Sequence, residues 1–362
     1  MSLPAAVEFI DVDIVFGDAP GKALPMIDAG ERRETILERT GQVLGAAQCN
    51  LAVARGELFV LMGLSGSGKS TLLRAVNRLN RVTRGKVLIE DGGQSVDVAN
   101  CGQRILRRLR TRRIAMVFQQ FALFPWRTVA ENVGFGLELR GTSAVERART
   151  VREKLELVHL GEWADKYAHE LSGGMQQRVG LARAFATDAD ILLMDEPFSA
   201  LDPLIRDRLQ DELLELQQQL GKTIIFVSHD LDEAIKLGNR IAIMEGGRIV
   251  QAGTPEEIIS APANDYVQKF VANVNPLGVF RARSLMRPVG AEDLPGRASA
   301  IAALTADRTA SPTAVTCSPE TAMRELIACA ARGHGPFIVV DDDGTVLGVV
   351  DRQRLFSALI DR

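Results

Sequence analysis

Three short, almost wholly apolar runs mark the N-terminal two thirds of the chain. They cover residues 58–62, 191–194 and 223–227, and each ends at a small or polar residue. Apolar runs of this length, without polar alternation, are typical of strands that are buried on both faces of a sheet. Helix-like segments lie between them, and strands that alternate with helices indicate an α/β fold. Functional side chains in such folds gather at the carboxyl ends of the strands.

Weaker patterns divide the sequence into three predicted regions. Residues 1–276 form one α/β domain, in which residues about 120–185 are helix-rich and form a helical subdomain. Residues 277–312 shift to Ala, Arg and Pro with weak periodicity, which predicts a linker or a degenerate module. Residues 313–362 recover a helix–strand–strand–helix pattern and predict a small α+β module. Further strands are predicted at 7–16, 85–90 and 114–118, a hairpin at 246–253 and a helix at 265–274.

The composition is that of a globular protein without a membrane span. The chain has 362 residues, of which 46% are apolar and 25% are charged. No apolar stretch is long enough to cross a bilayer, and the N-terminus lacks the basic and apolar regions of a secretion signal. The net charge of −3 argues against a general nucleic-acid-binding protein, so no nucleic-acid partner is expected. Four scattered cysteines have no metal-binding spacing and are expected to be reduced.

Two arginine-rich segments depart from this average. Residues 104–113 contain six arginines, for which a solvated helix face is favoured over a patch that faces phosphate or lipid. Towards the C-terminus, anionic lipid is a candidate contact of five arginines, with surface solubility as the alternative. These are Arg281, Arg283, Arg287, Arg352 and Arg354.

The first apolar run leads into a glycine-rich loop that fits the phosphate-binding pattern G-x-x-x-x-G-K-[ST]. Glycines let the backbone curl so that successive N–H groups face a phosphate, and the following helix adds its positive N-terminal end. Lys69 supplies a flexible positive charge for the β- and γ-phosphates of a nucleoside triphosphate, and the Ser70 hydroxyl can ligate Mg²⁺. The residues predicted to bind the nucleotide here are Gly63, Ser65, Gly66, Ser67, Gly68, Lys69, Ser70 and Thr71.

The ends of the second and third apolar runs carry candidate catalytic groups. Asp195 follows the second run, where its carboxylate can hold the Mg²⁺ that Ser70 also ligates. Glu196 is placed to polarise a water for attack on the γ-phosphorus. His229 follows the third run and can hydrogen-bond the γ-phosphate and hold Glu196. The alternatives are two solvated acids and a structural histidine.

Residues 171–178, Leu-Ser-Gly-Gly-Met-Gln-Gln-Arg, resemble the signature sequence of ABC transporter ATPases. Residues 63–70 and 191–196 are similar to the Walker A and Walker B motifs of that family, and residues 199–202 to its D-loop. On physical grounds, the small-residue turn at 172–174 is a second anion cradle, because it lies at a helix start. The resemblance implies a dimer of two copies that holds two ATP molecules between its subunits.

The same resemblance assigns roles to individual residues. Phe16 occupies the place of the aromatic residue that stacks on adenine, Gln119 that of the Q-loop glutamine and His229 that of the switch histidine. The expected catalytic residues are Glu196, His229 and Gln119, and the expected metal ligands are Ser70, Gln119 and Asp195. Ser172, Gly173 and Gly174 are expected to reach the partner's nucleotide, and Gln177 and Asp202 are expected nucleotide contacts as well.

Two further features point to a subfamily. About 30 residues intervene between the first strand and the next one, an insertion that looks like that of glycine betaine/choline/proline-type importers. Residues 313–362 resemble one CBS module, an accessory of several ATPases of that group. Asp351 and Arg354 stand where nucleotide-binding CBS modules usually carry Thr or Ser and then Asp, which argues against AMP or ATP binding by this module. Only one repeat is visible, so the module would pair between subunits.

The resemblance implies an ATPase subunit at the cytoplasmic face of the plasma (inner) membrane, where hydrolysis of MgATP drives uptake of a quaternary amine such as choline, glycine betaine or proline betaine. Its expected partners are a second copy, a transmembrane permease and, indirectly, an extracytoplasmic solute-binding protein. A soluble ABC ATPase that acts on ribosomes or DNA is the rival class, although such proteins generally carry two cassettes or a long coiled coil. An importer ATPase for a different solute and a sensor centred on the C-terminal module also stay open.

An apolar loop after Gln119 is the predicted docking site of the permease. Its large side chains either line a groove that receives the permease or belong to the core, and the sequence leaves both interpretations open. They are Phe121, Leu123, Phe124 and Trp126.

Overall fold

The computed structural model describes residues 5–119, 122–199, 201–288 and 315–360. The chain divides into two compact units, Met1–Thr254 and Pro255–Arg362. The sequence analysis placed the end of the first domain at residue 276 instead. The difference arises because the segment 255–276 contributes Ile259 to the hydrophobic core of the C-terminal unit. Within the described residues, no helix has the length and apolar character that a bilayer crossing requires.

The N-terminal unit contains ten strands and nine α-helices among its described residues. The strands are β1 (Ala5–Phe16), β2 (Val43–Ala54), β3 (Leu58–Met62), β4 (Arg84–Asp91), β5 (Gln94–Asp97), β6 (Ile114–Val117), β7 (Ile191–Asp195), β8 (Thr223–Ser228), β9 (Arg240–Glu245) and β10 (Arg248–Gly253). The helices are α1 (Leu24–Asp28), α2 (Arg33–Thr40), α3 (Lys69–Val76), α4 (Gln103–Arg112), α5 (Val129–Leu139), α6 (Ala144–Leu157), α7 (Gly173–Ala186), α8 (Pro203–Leu220) and α9 (Leu231–Leu237).

A six-stranded sheet in the order β10-β9-β3-β8-β7-β6 forms the centre of this unit. Its strands are parallel except for β10, which returns from β9 as the predicted hairpin. The three apolar runs of the sequence are β3, β7 and β8, and every residue in them is buried. In the register Met62 pairs with Ser228, and Asp195 with Val227, so the three strands end at one edge. The predicted α/β fold is therefore confirmed.

A second, antiparallel sheet has the order β2-β1-β4-β5. Strand β2 pairs with β1 along nearly its whole length, yet the sequence analysis did not predict it. Small and amide-bearing residues such as Gly45, Gln48 and Asn50 give β2 a weak strand propensity, so pairing with β1 decides its structure. The predicted insertion lies between β1 and β2 and contains helices α1 and α2, which bury Ile27 and Ile36.

Helices α5, α6 and α7 form the predicted helical subdomain. They share a core that includes Val133, Leu155 and Val179. Helix α5 begins with a capping box, in which the Thr128 side chain accepts from the Glu131 N–H and the Glu131 carboxylate accepts from the Thr128 N–H.

The arginine-rich segment is helix α4 and its C-cap residue. The helix buries Leu106 and Leu109, whereas its five arginines are exposed. Arg108 pairs with Asp91, and Arg113 pairs with Glu90 and Asp190. This arrangement is the solvated helix face that the sequence analysis favoured, and contact of the exposed arginines with phosphate or lipid stays a prediction.

The C-terminal unit is a mixed sheet covered by helices. Its described elements are α10 (Pro255–Ser260), α11 (Asp265–Val271), α12 (Ala282–Leu285), β11 (Arg287–Pro288), β12 (Val315–Cys317), α13 (Met323–Ala331), β13 (Phe337–Val340), β14 (Val346–Val350) and α14 (Arg352–Ile360). The sheet order is β11-β14-β13-β12, so β11 and β12 extend the predicted helix–strand–strand–helix unit on both sides.

The predicted linker or degenerate module at 277–312 is described only up to residue 288. A linker is wrong for that described part, because Phe280, Ala282 and Leu285 are buried in the core of the unit and β11 pairs with β14. Residues 289–312 lie outside the described residues.

Candidate functional site

The glycine-rich loop connects β3 to α3 and requires glycine at two points. Gly63 and Gly68 have φ angles of 143° and 105°, which residues other than glycine rarely adopt. A Cβ atom would also lie 2.2 Å from the Met244 carbonyl oxygen at Gly63, and 2.3 Å from the Gly45 carbonyl oxygen at Gly68. Helix α3 begins without a side-chain cap, so the N–H groups of its first turn remain available to an anion.

Lys69 is held inside this loop. Its side chain is 4% exposed, and its Nζ donates to the carbonyl oxygens of Gly63 at 2.8 Å and Leu64 at 3.0 Å. Burial lowers the pKa of Lys69, and the carboxylates of Glu196 and Asp195 oppose that change. The carbonyl groups hold the ammonium beside the loop, where it can transfer its hydrogen bonds to phosphate oxygens.

Asp195 ends β7 beside the start of α3. Its Oδ1 accepts a hydrogen bond from the Ser70 Oγ at 2.6 Å, and its Oδ2 pairs with Arg74 Nη2 at 2.8 Å. A hydroxyl and a carboxylate oxygen in such proximity are the hard oxygen ligands that Mg²⁺ prefers, so these residues fit the predicted metal. The sequence analysis missed Arg74, whose partner lies 121 positions away in the chain.

Glu196 and His229 meet at the same edge of the sheet. Glu196 has a left-handed φ of 46°, and its N–H donates to the Val227 carbonyl at 3.1 Å. This turn brings the Glu196 Oε2 to 3.2 Å from the His229 Nδ1. Glu196 keeps 20% of its side chain exposed and His229 57%, so both can meet a ligand or a water.

A hydrogen-bonded chain joins Gln119 to this pair. The Gln119 Nε2 donates to the Ser199 Oγ at 3.3 Å, and the Ser199 Oγ donates to the Glu196 carbonyl at 3.0 Å. The sequence indicated Ser199 only through the D-loop resemblance. Its neighbour Ala200, and Gln120 and Phe121 after Gln119, lie outside the described residues.

A buried acid supports the turn that carries His229. Glu233 accepts hydrogen bonds from the Ser228 Oγ at 2.5 Å and from Gln210 Nε2 at 3.0 Å. Burial raises the pKa of Glu233, and these two hydrogen bonds oppose that change. The contacts tie the end of β8 to helix α8. Sequence reasoning missed them, because Glu233 looks like an ordinary acid in the first turn of a helix.

Phe16 lies near the glycine-rich loop at the end of β1. Its ring is 41% exposed, and a Cβ atom on Gly45 would come within 2.7 Å of that ring and 2.8 Å of the Thr71 methyl group. The missing side chain of Gly45 therefore lets Phe16 approach α3. The position suits an aromatic platform beside the phosphate loop, and stacking on adenine stays a prediction.

The remaining predicted contacts lie at helix starts. Ser172 caps α7 by accepting from the Met175 N–H at 3.4 Å, and Asp202 caps α8 by accepting from the Ile205 N–H at 3.1 Å. Both caps are exposed, as is Gly173, whereas Gly174 is partly covered. These helix starts are therefore open to a second subunit.

Gln177 is the exception among the predicted contacts. Its side chain is fully buried in α7, and neither amide atom has a hydrogen-bond partner among the described residues. The prediction that it contacts a nucleotide is therefore at odds with this conformation, since no atom of Gln177 reaches the surface.

Comparison with known proteins agrees with this geometry. The profile of the ABC transporter family matches residues 46–199. The glycine betaine/proline betaine transport system ATP-binding protein ProV of Salmonella typhimurium is 53% identical over 278 residues, which are 76% of this chain and 68% of ProV. The trimethylamine N-oxide transport system ATP-binding protein TmoW of Ruegeria pomeroyi is 40% identical over 347 residues, which are 96% of this chain and 94% of TmoW.

A solved structure has a similar fold. It is the dimeric, post-hydrolysis structure of the ATP-binding cassette MJ0796 bound to ADP and Pi, which matches with a TM-score of 0.58 at 30% identity. The match covers 69% of this chain and 98% of the cassette.

Proposed function

The chain belongs to the family of ABC transporter ATP-binding subunits, and from that premise we propose that it powers an importer of quaternary amines. The observation that carries this proposal is the convergence of Lys69, Asp195, Glu196 and His229 at one sheet edge in a chain that is 53% identical to ProV. The substrates for which ProV and TmoW are named share a nitrogen that bears methyl groups and a positive charge. Within that class, the proposed cargo is a quaternary amine, in which the nitrogen carries four carbon atoms, such as glycine betaine, proline betaine or choline.

Each site residue has a different role in the proposed reaction. The first-turn N–H groups of α3 and Lys69 bind the phosphates of ATP, and Glu196 accepts a proton from the attacking water. His229 holds the Glu196 carboxylate in place and faces the γ-phosphate. Mg²⁺ would be held by Ser70, Asp195 and Gln119, and when bound it neutralises charge on the β- and γ-phosphates.

The second subunit completes each site in this proposal. The turn Ser172–Gly174, which is exposed at Ser172 and Gly173, presents the start of α7, and Asp202 presents the start of α8. A helix N-terminus attracts a phosphate, so the turn of one copy would complete the ATP site of the other. Two copies would thus enclose two ATP molecules, and binding and hydrolysis would close and open the dimer.

The proposed permease-docking surface is a groove between strand β6 and the helical subdomain. It has a volume of about 430 Å³, and its apolar lining includes Phe118, Phe124 and Phe135. Arg110 and Arg183 also line it, so the groove combines apolar surface with positive charge. An amphipathic helix that carries an acidic residue fits such a surface.

Hydrogen bonds anchor Phe124 of the docking loop, which lines this groove. The Asn132 side chain is fully buried, and its amide accepts from the Phe124 N–H and donates to the Phe124 and Thr128 carbonyls. Trp126 is 71% exposed, whereas Leu123 packs partly on the subdomain core. Docking is therefore proposed for Phe124 and Trp126, and Phe121 lies outside the described residues.

Uptake measurements test the proposed cargo. The chain would be produced with its permease and solute-binding protein in a strain without other betaine importers. Labelled glycine betaine, proline betaine, choline and trimethylamine N-oxide would then be compared. We expect ATP-dependent uptake of at least one of the first three, and none when Lys69 is replaced by Ala. Uptake of trimethylamine N-oxide alone would contradict the proposed cargo, and uptake of none of the four would place the chain in an importer for a different solute.

The C-terminal unit has a proposed regulatory role. None of the predicted ATP-site residues lies beyond residue 254, and three of the five C-terminal arginines, Arg287, Arg352 and Arg354, are exposed without an ion pair among the described residues. Arg283 is instead paired with Glu320 and Glu256. The three exposed arginines are candidates for contact with anionic lipid, which salt would screen.

Truncation tests this role. A chain that ends after Thr254 should keep the basal ATPase activity, and in proteoliposomes it should lose the response of transport to ionic strength. Changing Arg287, Arg352 and Arg354 to Gln in the full chain is the matched variant, and it should reduce that response without removing the unit. A truncated transporter with the complete salt response would rule out regulation by this unit.

A further inference from the structure

The insertion between β1 and β2 brings a guanidinium group to the phosphate loop. Arg33 is the first residue of α2, and its Nη1 donates a hydrogen bond to the carbonyl oxygen of Gly66. The two residues are 33 positions apart, and neither the phosphate-loop pattern nor the family motifs include Arg33. No carboxylate pairs with Arg33 among the described residues, so its charge is not neutralised locally.

The insertion is anchored firmly enough to hold this contact. Ile36 of α2 is fully buried in a small core with Ile27 and Leu44. The Ile27 carbonyl accepts from Arg248 Nη2 at 3.0 Å, and Asp28 pairs with Arg84 at 2.6 Å. Helix α2 therefore has a defined place beside the loop, which a flexible surface insertion would lack.

The contact holds one peptide group of the loop in a defined orientation. The C=O and N–H of a trans peptide point in opposite directions, so a Gly66 carbonyl that faces Arg33 turns the Ser67 N–H into the loop. That N–H now donates to the Leu64 carbonyl at 3.1 Å. Gly66 itself has a φ of 80°, and glycine is free to leave this conformation. The hydrogen bond from Arg33 therefore adds to the internal Ser67–Leu64 bond in favouring this orientation of the peptide.

We propose that Arg33 is a positioning residue for ATP binding, which fixes the Gly66–Ser67 peptide in the orientation that turns the Ser67 N–H into the phosphate loop. A loop ordered in advance binds its ligand more tightly, because less conformational freedom is lost on binding. The positive charge of Arg33 adds to the attraction for polyphosphate. This inference rests on the proposed ATP site and deepens it, since it gives the insertion a part in nucleotide affinity.

Nucleotide affinity of a variant series tests the proposal. Arg33→Ala should weaken ATP and ADP binding by about tenfold, the range of one charge-assisted hydrogen bond that is partly exposed. The KM for ATP should rise by a similar factor, and kcat should change little, because the chemical groups are untouched. Arg33→Lys keeps a charged donor and should recover most of the affinity, whereas Arg33→Gln keeps a donor without charge and should recover part of it.

Arg32→Ala is the matched control. Arg32 is exposed and carries the same charge one position earlier, and its side chain has no hydrogen bond among the described residues. An equal loss of affinity in Arg32→Ala and Arg33→Ala would mean that net charge alone acts, and unchanged affinity in Arg33→Ala would overturn the proposal. If Arg33→Ala does not fold, Arg33→Lys and Arg33→Gln decide the matter, and a loss of kcat at constant KM in either would contradict it. Absence of ATP binding by the unaltered chain would instead refute the proposed function.

Discussion

We expect the replacement of Glu196 by Gln to abolish ATP turnover and to leave ATP binding intact. The amide has the shape of the carboxylate but cannot accept a proton from water, and loss of a general base costs about 10²–10⁴ in rate. The substitution spares the fold, because Glu196 is held in its turn by its own N–H bond to Val227 and by the strand before it. We expect hydrolysis to fall by at least about 100-fold.

Three measurements check this result. Phosphate release gives the turnover, a fluorescent ATP analogue gives the affinity, and light scattering with ATP gives the mass, which should shift towards the dimer because bound ATP is no longer consumed. Asp195→Asn is the contrasting variant, since it removes a predicted metal ligand and should weaken the dependence on Mg²⁺ instead. A Glu196→Gln protein that keeps more than about a tenth of the activity would contradict the assignment of the general base.

We expect the replacement of Phe124 by Ser to uncouple ATP hydrolysis from uptake. Phe124 belongs to the loop that is proposed to dock the permease. Loss of its apolar side chain would weaken the contact between the two subunits without changing the ATP site. Truncated anchor residues at interfaces cost about 2 kcal/mol or more, which is enough to suppress transport. Uptake in cells should therefore fall strongly, and the basal ATPase activity of the isolated subunit should persist.

A second variant is needed to separate an effect on docking from an effect on folding. Phe124 is partly buried and meets the Phe135 ring edge-on at 4.7 Å, so its loss also costs stability. Trp126 is 71% exposed, and Trp126→Ser removes loop surface with little effect on folding. Leu139→Ser is the control, because Leu139 is an exposed apolar residue of the same subdomain outside the groove. If Phe124→Ser unfolds and Trp126→Ser transports normally, the loop is core and the docking proposal fails.

The clearest corrections to the sequence analysis concern contacts that no local pattern encodes. The end of the first unit falls at residue 254 instead of 276, since the segment that follows packs with the C-terminal core. Strand β2 was not predicted, because its residues have a weak strand propensity and its structure depends on pairing with β1. Gln177 lies within the signature sequence, yet its side chain is fully buried in the folded unit.

The central sheet and the main chemistry follow from the amino-acid sequence alone. Strands β3, β7 and β8 are continuous apolar runs, and Gly63–Ser70, Asp195, Glu196 and His229 follow directly at their ends. Parallel strands bring their carboxyl ends to one edge of the sheet, so residues that follow different strands become neighbours. Each of these strands can be recognised from its own local pattern. The candidate site is predictable for this reason.

Which side chains support that site depends on the packing of the folded chain. Arg33 reaches Gly66, Arg74 reaches Asp195, and Gly45 makes room for Phe16. Each contact joins elements whose relative placement depends on the packing of the whole unit, and a single arginine or glycine in a helix or strand has no periodic signature. The difference is one of range: hydrophobic patterns and turn chemistry act over a few residues, whereas these contacts form only after the chain has folded.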